Sequence, residues 1–569
     1  MKKNESLLKP VVSFSRTVKR IIPAAITGIS ILLSACAASS SPSVSPQIRE
    51  IGGSSSHTES NYADTLDIST GYWDIDSLTR ESSPDGVLDY LQKRFHVHFS
   101  FVPTTWSNYQ EKYRMLALTD SLPDIFSTIT LSSGDPTGSA TYASFIDNRK
   151  IRALPDDLSH WPNVYAIVNS MPSARYQDGH TYLIPRRIFS DPDLGIADAA
   201  MIVRKDWMDH LGISDPSSMQ EFEEMIRAFV YDDPDGNGKD DTIGYNVNTQ
   251  QALGKWVILG LHPELNTLAW TERNGKYVPT WAVPEYSDII ALFRKFYSEG
   301  ILDSEFYTKS PASVEDDFAA GRLGAFEFKS SPASLRQLED RWDLYQTKSF
   351  YDCVKLLPIF PTAEGKRYSN SSNPIWSESY FSSSVSEEKM TRILDLYEYL
   401  LSEEGQLLIN YGLEGTDYRL NQNGNVEVLL SLSTNQRLSS VLLSKYPSLS
   451  VFSSLAEWLD QDWNNADSRQ LYTMKYGERN LNMALDSLTW YRNNTIQISR
   501  PYSFLNAPRS SNSSFNSSNV SEEIIRCIVG TDDPIKSWNS YLNSLYQRGL
   551  GDYIEEQNLL YTQSTESEP

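Results

Sequence analysis

The chain has 569 residues, a formal net charge of −23, 40% hydrophobic and 12% aromatic content. That length allows two or more domains of ordinary size, and that apolar content excludes a disordered chain. A chain this acidic lacks the basic footprint that DNA or RNA binding requires, and it excludes broad adhesion to anionic lipid.

The N-terminus is the exception to the acidity. Lys2, Lys3, Lys9, Arg16, Lys19 and Arg20 precede an apolar run from Ile21 to Leu33, which ends in Leu33-Ser34-Ala35-Cys36. A basic region, a short apolar core and a small-residue cleavage site read as a secretory signal over residues 1–35. The run falls short of the about 20 apolar residues of a permanent span. Leu-Ser-Ala-Cys resembles the bacterial lipobox, which implies that Cys36 carries acyl chains (palmitate among them) and becomes the first residue of the mature chain. Removing six basic residues and one Glu leaves that chain five charges more negative, near −28. Residues 36–62 are rich in Ser, with Pro42, Pro46, Gly52 and Gly53. They have too little apolar surface to offset chain entropy and read as a flexible tether.

Short strands and amphipathic helices then alternate. Phe95 to Val102 has period two and reads as a strand. Ser107 to Leu118 has helical spacing, with Tyr109, Tyr113, Leu116 and Ala117 near one face. Leu122 to Phe126 reads as a strand ending at Ser127-Thr128, and Met201 to Val203 as another. Lys205 to Leu211 and Met219 to Phe229 read as helices, the second with Phe222, Met225, Ile226 and Phe229 in one stripe. Tyr286 to Tyr297, Lys389 to Leu401 and Trp538 to Gln547 are further amphipathic helices. The alternation predicts an α/β fold with largely parallel sheets. No internal repeat is present, and Ser510 to Ser518 reads as a polar surface loop. Beyond Cys36, Cys353 and Cys527 lack a disulfide framework and read as single buried residues, with pairing left open.

The sharpest chemical motif is Asp233-Pro234-Asp235-Gly236-Asn237-Gly238-Lys239-Asp240-Asp241. Side-chain oxygens at positions 1, 3, 5 and 9, with Gly238 at position 6, match an EF-hand rhythm. Ca²⁺ takes six to eight hard oxygens, and alternate side chains of a tightly turning loop converge on one centre. The expected ligands of a structural Ca²⁺ are Asp233, Asp235, Asn237, Asp241 and the Lys239 carbonyl. Position 12 is Gly244, so the bidentate Glu of an EF-hand is missing.

Dispersed motifs carry a resemblance. Leu122-Pro123-Asp124-Ile125-Phe126, Gly179-His180-Thr181-Tyr182-Leu183-Ile184-Pro185 and Val203-Arg204-Lys205-Asp206-Trp207-Met208-Asp209-His210-Leu211-Gly212 come first. The acidic loop, Ser298 to Leu302, Phe318 to Ala325, and the pair Glu403-Glu404-Gly405 and Tyr411 to Gly415 follow. In this order they resemble the extracellular solute-binding proteins of bacterial ABC importers, and more narrowly the large oligosaccharide-binding lipoproteins of Gram-positive bacteria. The resemblance implies a type II periplasmic-binding-protein-like fold: two α/β lobes, a hinge and a ligand cleft. It implies lobe 1 from residues 63–188 and 345–425, and lobe 2 from 189–344 and 426–560. It further implies a monomer, lipid-anchored on the outer face of the cell membrane, that hands an oligosaccharide to ABC permease subunits. Relatives with such a calcium loop often carry an acid after its last Asp, where this chain has Thr242.

Sugars stack on aromatic rings, and ligands of open α/β sheets sit at the carboxyl ends of strands. Those positions give Trp106, Ser127, Thr128 and Arg186 as expected ligand contacts; the resemblance adds Trp376, where the family's chain has returned to the first lobe, and Trp270 in the second lobe. Arg186, with Arg187, either binds an acidic sugar bidentately or forms surface salt bridges. A calcium-assisted glycoside hydrolase or lyase is the competing class, since two carboxylates in a cleft would suffice. No nucleophile motif points to it.

Overall fold

The structure is a computed structural model that describes residues 62–73, 85–133, 136–171, 174–188, 191–247, 253–265, 270–370, 375–422, 424–432, 436–455, 463–465, 468–498 and 517–566. The leader, Cys36, most of the tether and most of the Ser510–Ser518 stretch lie outside the described residues. Ser517 and Ser518 open the helix Ser517–Val529.

The strands in chain order are β1 (Leu66–Gly71), β2 (Val97–Val102), β3 (Ile125–Thr128), β4 (Leu183–Arg187), β5 (Ala200–Arg204), β6 (Ile243–Val247), β7 (Trp270–Arg273) and β8 (Lys276–Pro279). Then come β9 (Leu323–Phe328), β10 (Val354–Leu357), β11 (Tyr368–Asn370), β12 (Ile375–Phe381), β13 (Tyr418–Leu420), β14 (Val426–Val428) and β15 (Ile496–Ile498). One sheet has the order β2-β1-β3-β12-β4 and the other β10-β5-β9-β6. In each, one strand runs against the rest: β12 is antiparallel to β3 and β4, and β5 to β10 and β9. The expected α/β fold forms, but these two sheets are mixed rather than largely parallel: three strand pairs are parallel and four antiparallel, because β12 and β5 each enter against the neighbours on both sides.

Local chemistry sets the element ends. The Asp85 carboxylate caps the helix Gly86–Phe95 by accepting from Val87 and Leu88 N–H. That helix buries Val87, Leu88, Leu91 and Phe95 and stops at His96 in the left-handed region. The strand expected from Phe95 therefore starts at Val97, because Phe95 completes the helix's apolar face. Asp124 fixes the entry to β3, accepting from Ser69 N–H and Oγ and pairing with Lys389. In β9 all six side chains are buried, as expected for a strand covered on both faces.

Each sheet has its own core. The first takes apolar residues from Ile68 to Ile184 and from Ile375 to Leu455; the second takes Ile188 to Phe360 and Trp463 to Trp538. The cores exchange chain at other points than the expected 345 and 425. Phe350, Cys353, Val354 and Leu357 pack in the second core, because β10 pairs with β5. Leu438, Leu442, Val451 and Phe452 pack in the first. Among the described residues, Trp376 is the one side chain packed against both cores. Cys353 and Cys527 are buried, unpaired thiols, and no described helix is long and apolar enough to cross a membrane.

Candidate ligand-binding site

The carboxyl ends of β1 to β4 and the start of β12 meet at one edge of the first sheet. Chain leaving these strands supplies Tyr72 and Trp73 after β1, Trp106 after β2, and Thr130 and Ser132 after β3. Arg186 is the penultimate residue of β4, and Trp376 the second of β12. The β12–β4 register shifts between Ile375 and Ser377, so Trp376 sits at an irregularity of the kind that re-aims a side chain at a sheet margin. Trp106 and Trp376 lie nearly parallel, at 6° with centroids 5.5 Å apart. Trp73 stands edge-on to both, at 5.6 and 5.3 Å, and Tyr109 backs Trp106 at 5.5 Å. Trp73 and Tyr109 are buried, whereas Trp106 is 49% exposed and offers a ring face to solvent.

Two charges lie beneath this platform. Arg186 is 0% exposed. One Nη donates to the Tyr72 hydroxyl (2.6 Å) and the Ser454 carbonyl (3.0 Å), and its guanidinium lies 4.7 Å from the Trp376 ring centroid and 5.1 Å from that of Trp73. Burial pulls its pKa down, and Tyr72 opposes that shift. Neither expected role survives, since binding a ligand directly and pairing at the surface both need exposure that Arg186 lacks. Arg187, one residue on, is half-buried. The Glu378 carboxylate, also fully buried, accepts from Thr130 N–H (2.9 Å), Ser132 N–H (2.5 Å) and Thr130 Oγ1 (3.2 Å). Burial raises its pKa against these donors. It thereby holds the turn after β3 beside the rings.

Ser127 and Thr128 are interior residues. Ser127 Oγ bonds Ser379 Oγ at 3.2 Å, and Thr128 pairs with Glu378 across the β3–β12 ladder. The sequence does not single out Trp73, Thr130, Ser132 or Glu378. The one signal for the first three is their place just after a strand end, and for Glu378 an acid inside an apolar strand.

Trp270 stands apart from this cluster. It opens the β7–β8 hairpin, is 6% exposed, and packs on Leu545, Leu550, Ile554 and the Tyr553 ring. Its apolar surface is used by C-terminal helices. The hairpin is tied to the chain before it by Thr271 Oγ1 donating to the Glu264 carbonyl and by Arg273 pairing with the Glu264 carboxylate. His262 Nδ1 lies 3.6 Å from that carboxylate and Nε2 3.7 Å from Asp288. Contact with Glu264 raises the His262 pKa against burial, with Asp288 and Glu285 adding to it. A raised histidine stabilises fully below its unfolded pKa of 6.5, and that contribution is lost as pH rises through the folded value. The melting temperature should therefore fall between pH 6 and 8 by the equivalent of less than ~1 kcal/mol at this half-exposed site. In His262→Gln that slope should be absent.

The acidic loop leaves the helix Met219–Tyr231 and enters β6. Asp233 adopts a positive φ of 49°, and Gly236 and Gly238 have 70° and 77°. Asp233 accepts from Gly238 N–H, and the Asn237 amide nitrogen donates to Asp235 and Asp241 at 2.9 and 3.0 Å. Asp233 Oδ1 is buried without a hydrogen-bond partner. Thr242 is buried and donates to the Phe229 carbonyl at 2.6 Å, closing the helix end. Among the described residues no three His, Cys, Asp or Glu side chains stand close enough to hold a metal ion.

No family model matches the chain. Lipoprotein LipO of Bacillus subtilis is 30% identical over 259 residues, 45% of this chain and 49% of that protein. The polygalacturonan/rhamnogalacturonan-binding protein YtcQ of the same organism is 24% identical over 273 residues, 47% and 51% of the two chains. The chain thus spans about half the length of these curated relatives. Solved structures match over nearly their whole length. The alginate-binding protein AlgQ2 without calcium ion gives a TM-score of 0.63 at 16% identity, over 88% of this chain and 99% of that one. The Streptococcus pneumoniae ABC-transporter substrate-binding protein FusA in complex with kestose gives 0.63 at 16% identity, over 89% and 100%.

The fold is that of a solute-binding protein.

A second FusA structure, an EF-hand mutant with fructo-nystose, superposes with a TM-score of 0.62 at 17% identity. Trp73, Trp106 and Trp376 occupy the carboxyl edge of the first sheet, and in open α/β sheets generally ligands sit at such edges.

Proposed function

We propose that the chain is the substrate-binding lipoprotein of an ABC importer and captures an oligosaccharide between its two lobes. The parallel Trp106–Trp376 pair at the carboxyl edge of the first sheet carries this reading. Parallel indoles, one of them half exposed, fit the flat apolar faces of pyranose or furanose units. The relatives named for polygalacturonan, alginate and kestose support a carbohydrate. The relative named as a lipoprotein supports acylation at Cys36, and with it anchorage at the outer face of the membrane and delivery to permease subunits.

A thermal-shift screen with neutral and acidic oligosaccharides tests the reading. A cognate sugar raises the melting temperature and is recovered intact by chromatography; turnover of it would establish the hydrolase or lyase instead. With that sugar, Trp106→Ala should weaken binding roughly ten- to hundredfold, ~1.4–2.8 kcal/mol. Calorimetric titration measures this, and the melting temperature without sugar should barely move, because the ring is half exposed.

The loop at residues 233–241 is the proposed site of a structural Ca²⁺. The buried Asp233 Oδ1 fits a cation ligand, and Asn237 joins two carboxylates where an ion would join them. Drawn closer than they stand without an ion, Asp233, Asp235 and Asp241 would be joined by an Asn237 amide turned to present its oxygen and by the Lys239 carbonyl, with water filling the rest. Calcium at ~100 times its Kd should stabilise the protein by about 2.7 kcal/mol. Chelation should remove that gain, and in Asp233→Asn the calcium response should be largely gone. Equal melting curves with calcium and with chelator in the native chain would refute the site.

A further inference from the structure

Among the described residues, apolar packing passes between the two cores at three places, and each has a flanking residue beside Arg186. The first passage follows directly, since Ile184 packs in the first core and Ile188 in the second. The second ends at β12, whose Ser377 is the register partner of Arg186 and whose Trp376 stacks on its guanidinium. The third leaves the helix Leu449–Leu455, where Ser454 offers its carbonyl to Arg186 and Leu455 offers its own to Ser379 Oγ at 3.0 Å.

A guanidinium is a costly way to fill such a space. Burying a charge costs several kcal/mol before any interaction offsets it, and an aliphatic side chain of similar volume would avoid that. What the guanidinium adds is shape and direction. The group lies within 4.7–5.5 Å of the ring centroids of Trp376, Trp73 and Tyr72, while an Nη reaches past them to the end of a helix that the chain leaves for the other core. Cation–π attraction holds the guanidinium to the Trp376 indole, and its charge-assisted hydrogen bond to the Ser454 carbonyl resists being stretched. Displacement of Trp376 is thus passed to Ser454 through Arg186. Trp376 is also the residue packed against both cores.

We propose that Arg186 is a positioning residue that couples ligand stacking on Trp106 and Trp376 to the relative placement of the two cores. This rests on the carbohydrate-binding reading above for the ligand, and on the observed packing alone for the link from Trp376 to Ser454.

Hydrogen exchange on the full chain in detergent tests it, with Arg186→Met, Arg186→Lys, Trp376→Leu and the double variant Arg186→Met/Trp376→Leu. Unchanged exchange in β9 serves as the internal sign that each variant folds. Without sugar, Arg186→Met and Trp376→Leu should each speed exchange in residues 449–455 at least tenfold, and the double variant should do no more than either alone. Arg186→Lys should fail to restore slow exchange, because it keeps the charge and loses the plane. Additive effects, rescue by Lys, or exchange within twofold of the native chain would overturn the coupling. If β9 itself loosens in Arg186→Met, the milder Arg186→Lys and Trp376→Leu decide by the same criteria.

With kestose or trigalacturonate as probe, the native chain should gain protection both in β12 and in residues 449–455, and Arg186→Lys in β12 only. Equal protection of residues 449–455 in Arg186→Lys would also overturn the coupling. Should neither probe protect β12 in the native chain, the carbohydrate reading suffers, while the sugar-free comparison still decides the role of Arg186.

Discussion

Replacing Gly244 by Glu, which completes the 12-residue calcium rhythm on paper, should unfold the second core rather than tighten metal binding. Gly244 is the second residue of β6 and lies against the helix Met219–Tyr231. A Cβ there would collide with the Ile226 carbonyl oxygen and stand 3.0 Å from Val230 Cγ2. The contact is with helix backbone, so no rotamer change relieves it. Overpacking of this kind costs about 1–3 kcal/mol, and forcing a carboxylate into an apolar helix–strand contact adds several more, so the loss should exceed ~4 kcal/mol. Gly244→Ala isolates the first part, at ~2–3 kcal/mol. Urea unfolding followed by circular dichroism measures both. A Glu variant that melts with the native chain and holds calcium more tightly would show that the strand can move away from the helix. The absence of Glu at position 12 of the EF-hand pattern is in this sense a packing requirement: strand and helix approach too closely there for a side chain.

The second large effect is expected at Glu378. Its carboxylate takes two backbone N–H groups and a hydroxyl from the turn after β3. Replacement by Leu leaves these donors buried and unsatisfied at about 1–3 kcal/mol each, and takes a negative charge from the vicinity of buried Arg186. The total should be ~3–5 kcal/mol, in line with breaking other buried polar arrangements. Glu378→Gln keeps the shape and should cost roughly half as much. Its pH signature separates charge from shape. Because burial raises the folded pKa of Glu378 above the ordinary 4.5, its contribution is greatest below that value and is lost as pH rises through the folded pKa. Glu378→Gln should therefore lose less stability than the native chain as pH climbs from about 4.5 toward neutrality. Melting curves across that range measure the difference, and parallel curves would mean that the carboxylate does not titrate there.

These two sites also show what sequence reading reaches. Periodicity locates elements wherever an apolar stripe is unmixed, as in the helix Met219–Tyr231 with Phe222, Met225, Ile226 and Phe229 buried. It slips where a helix hands directly to a strand, as at Phe95 and Val97, because one apolar residue serves both patterns. Strand-end logic found Trp106, and the resemblance placed Trp376 back in the first lobe, where the two rings meet. Lobe placement alone did not serve for Trp270, whose strand belongs to a separate hairpin that C-terminal helices cover. Ordered motifs carry no information on where a chain recrosses between cores, so 345–370 and 426–455 fell on the wrong side. Arg186 is the instructive case. Its position beside the ligand edge follows from its place on β4, but its burial depends on Tyr72, Trp376 and Ser454, far apart in the sequence.

The sheet order β2-β1-β3-β12-β4 has a consequence for how the molecule assembles. β12 lies between β3 and β4, yet it is made about 190 residues after β4 begins. A chain emerging from its N-terminus therefore reaches residue 374 with β4 complete and no neighbour to pair it to the rest of its sheet. Such long-range pairing must pay loop-closure entropy before any contact rewards it, which slows folding and lengthens exposure of unpaired strand edges. Export in an unfolded state, which the proposed lipoprotein function requires, is well served by a fold in which an interior strand arrives late.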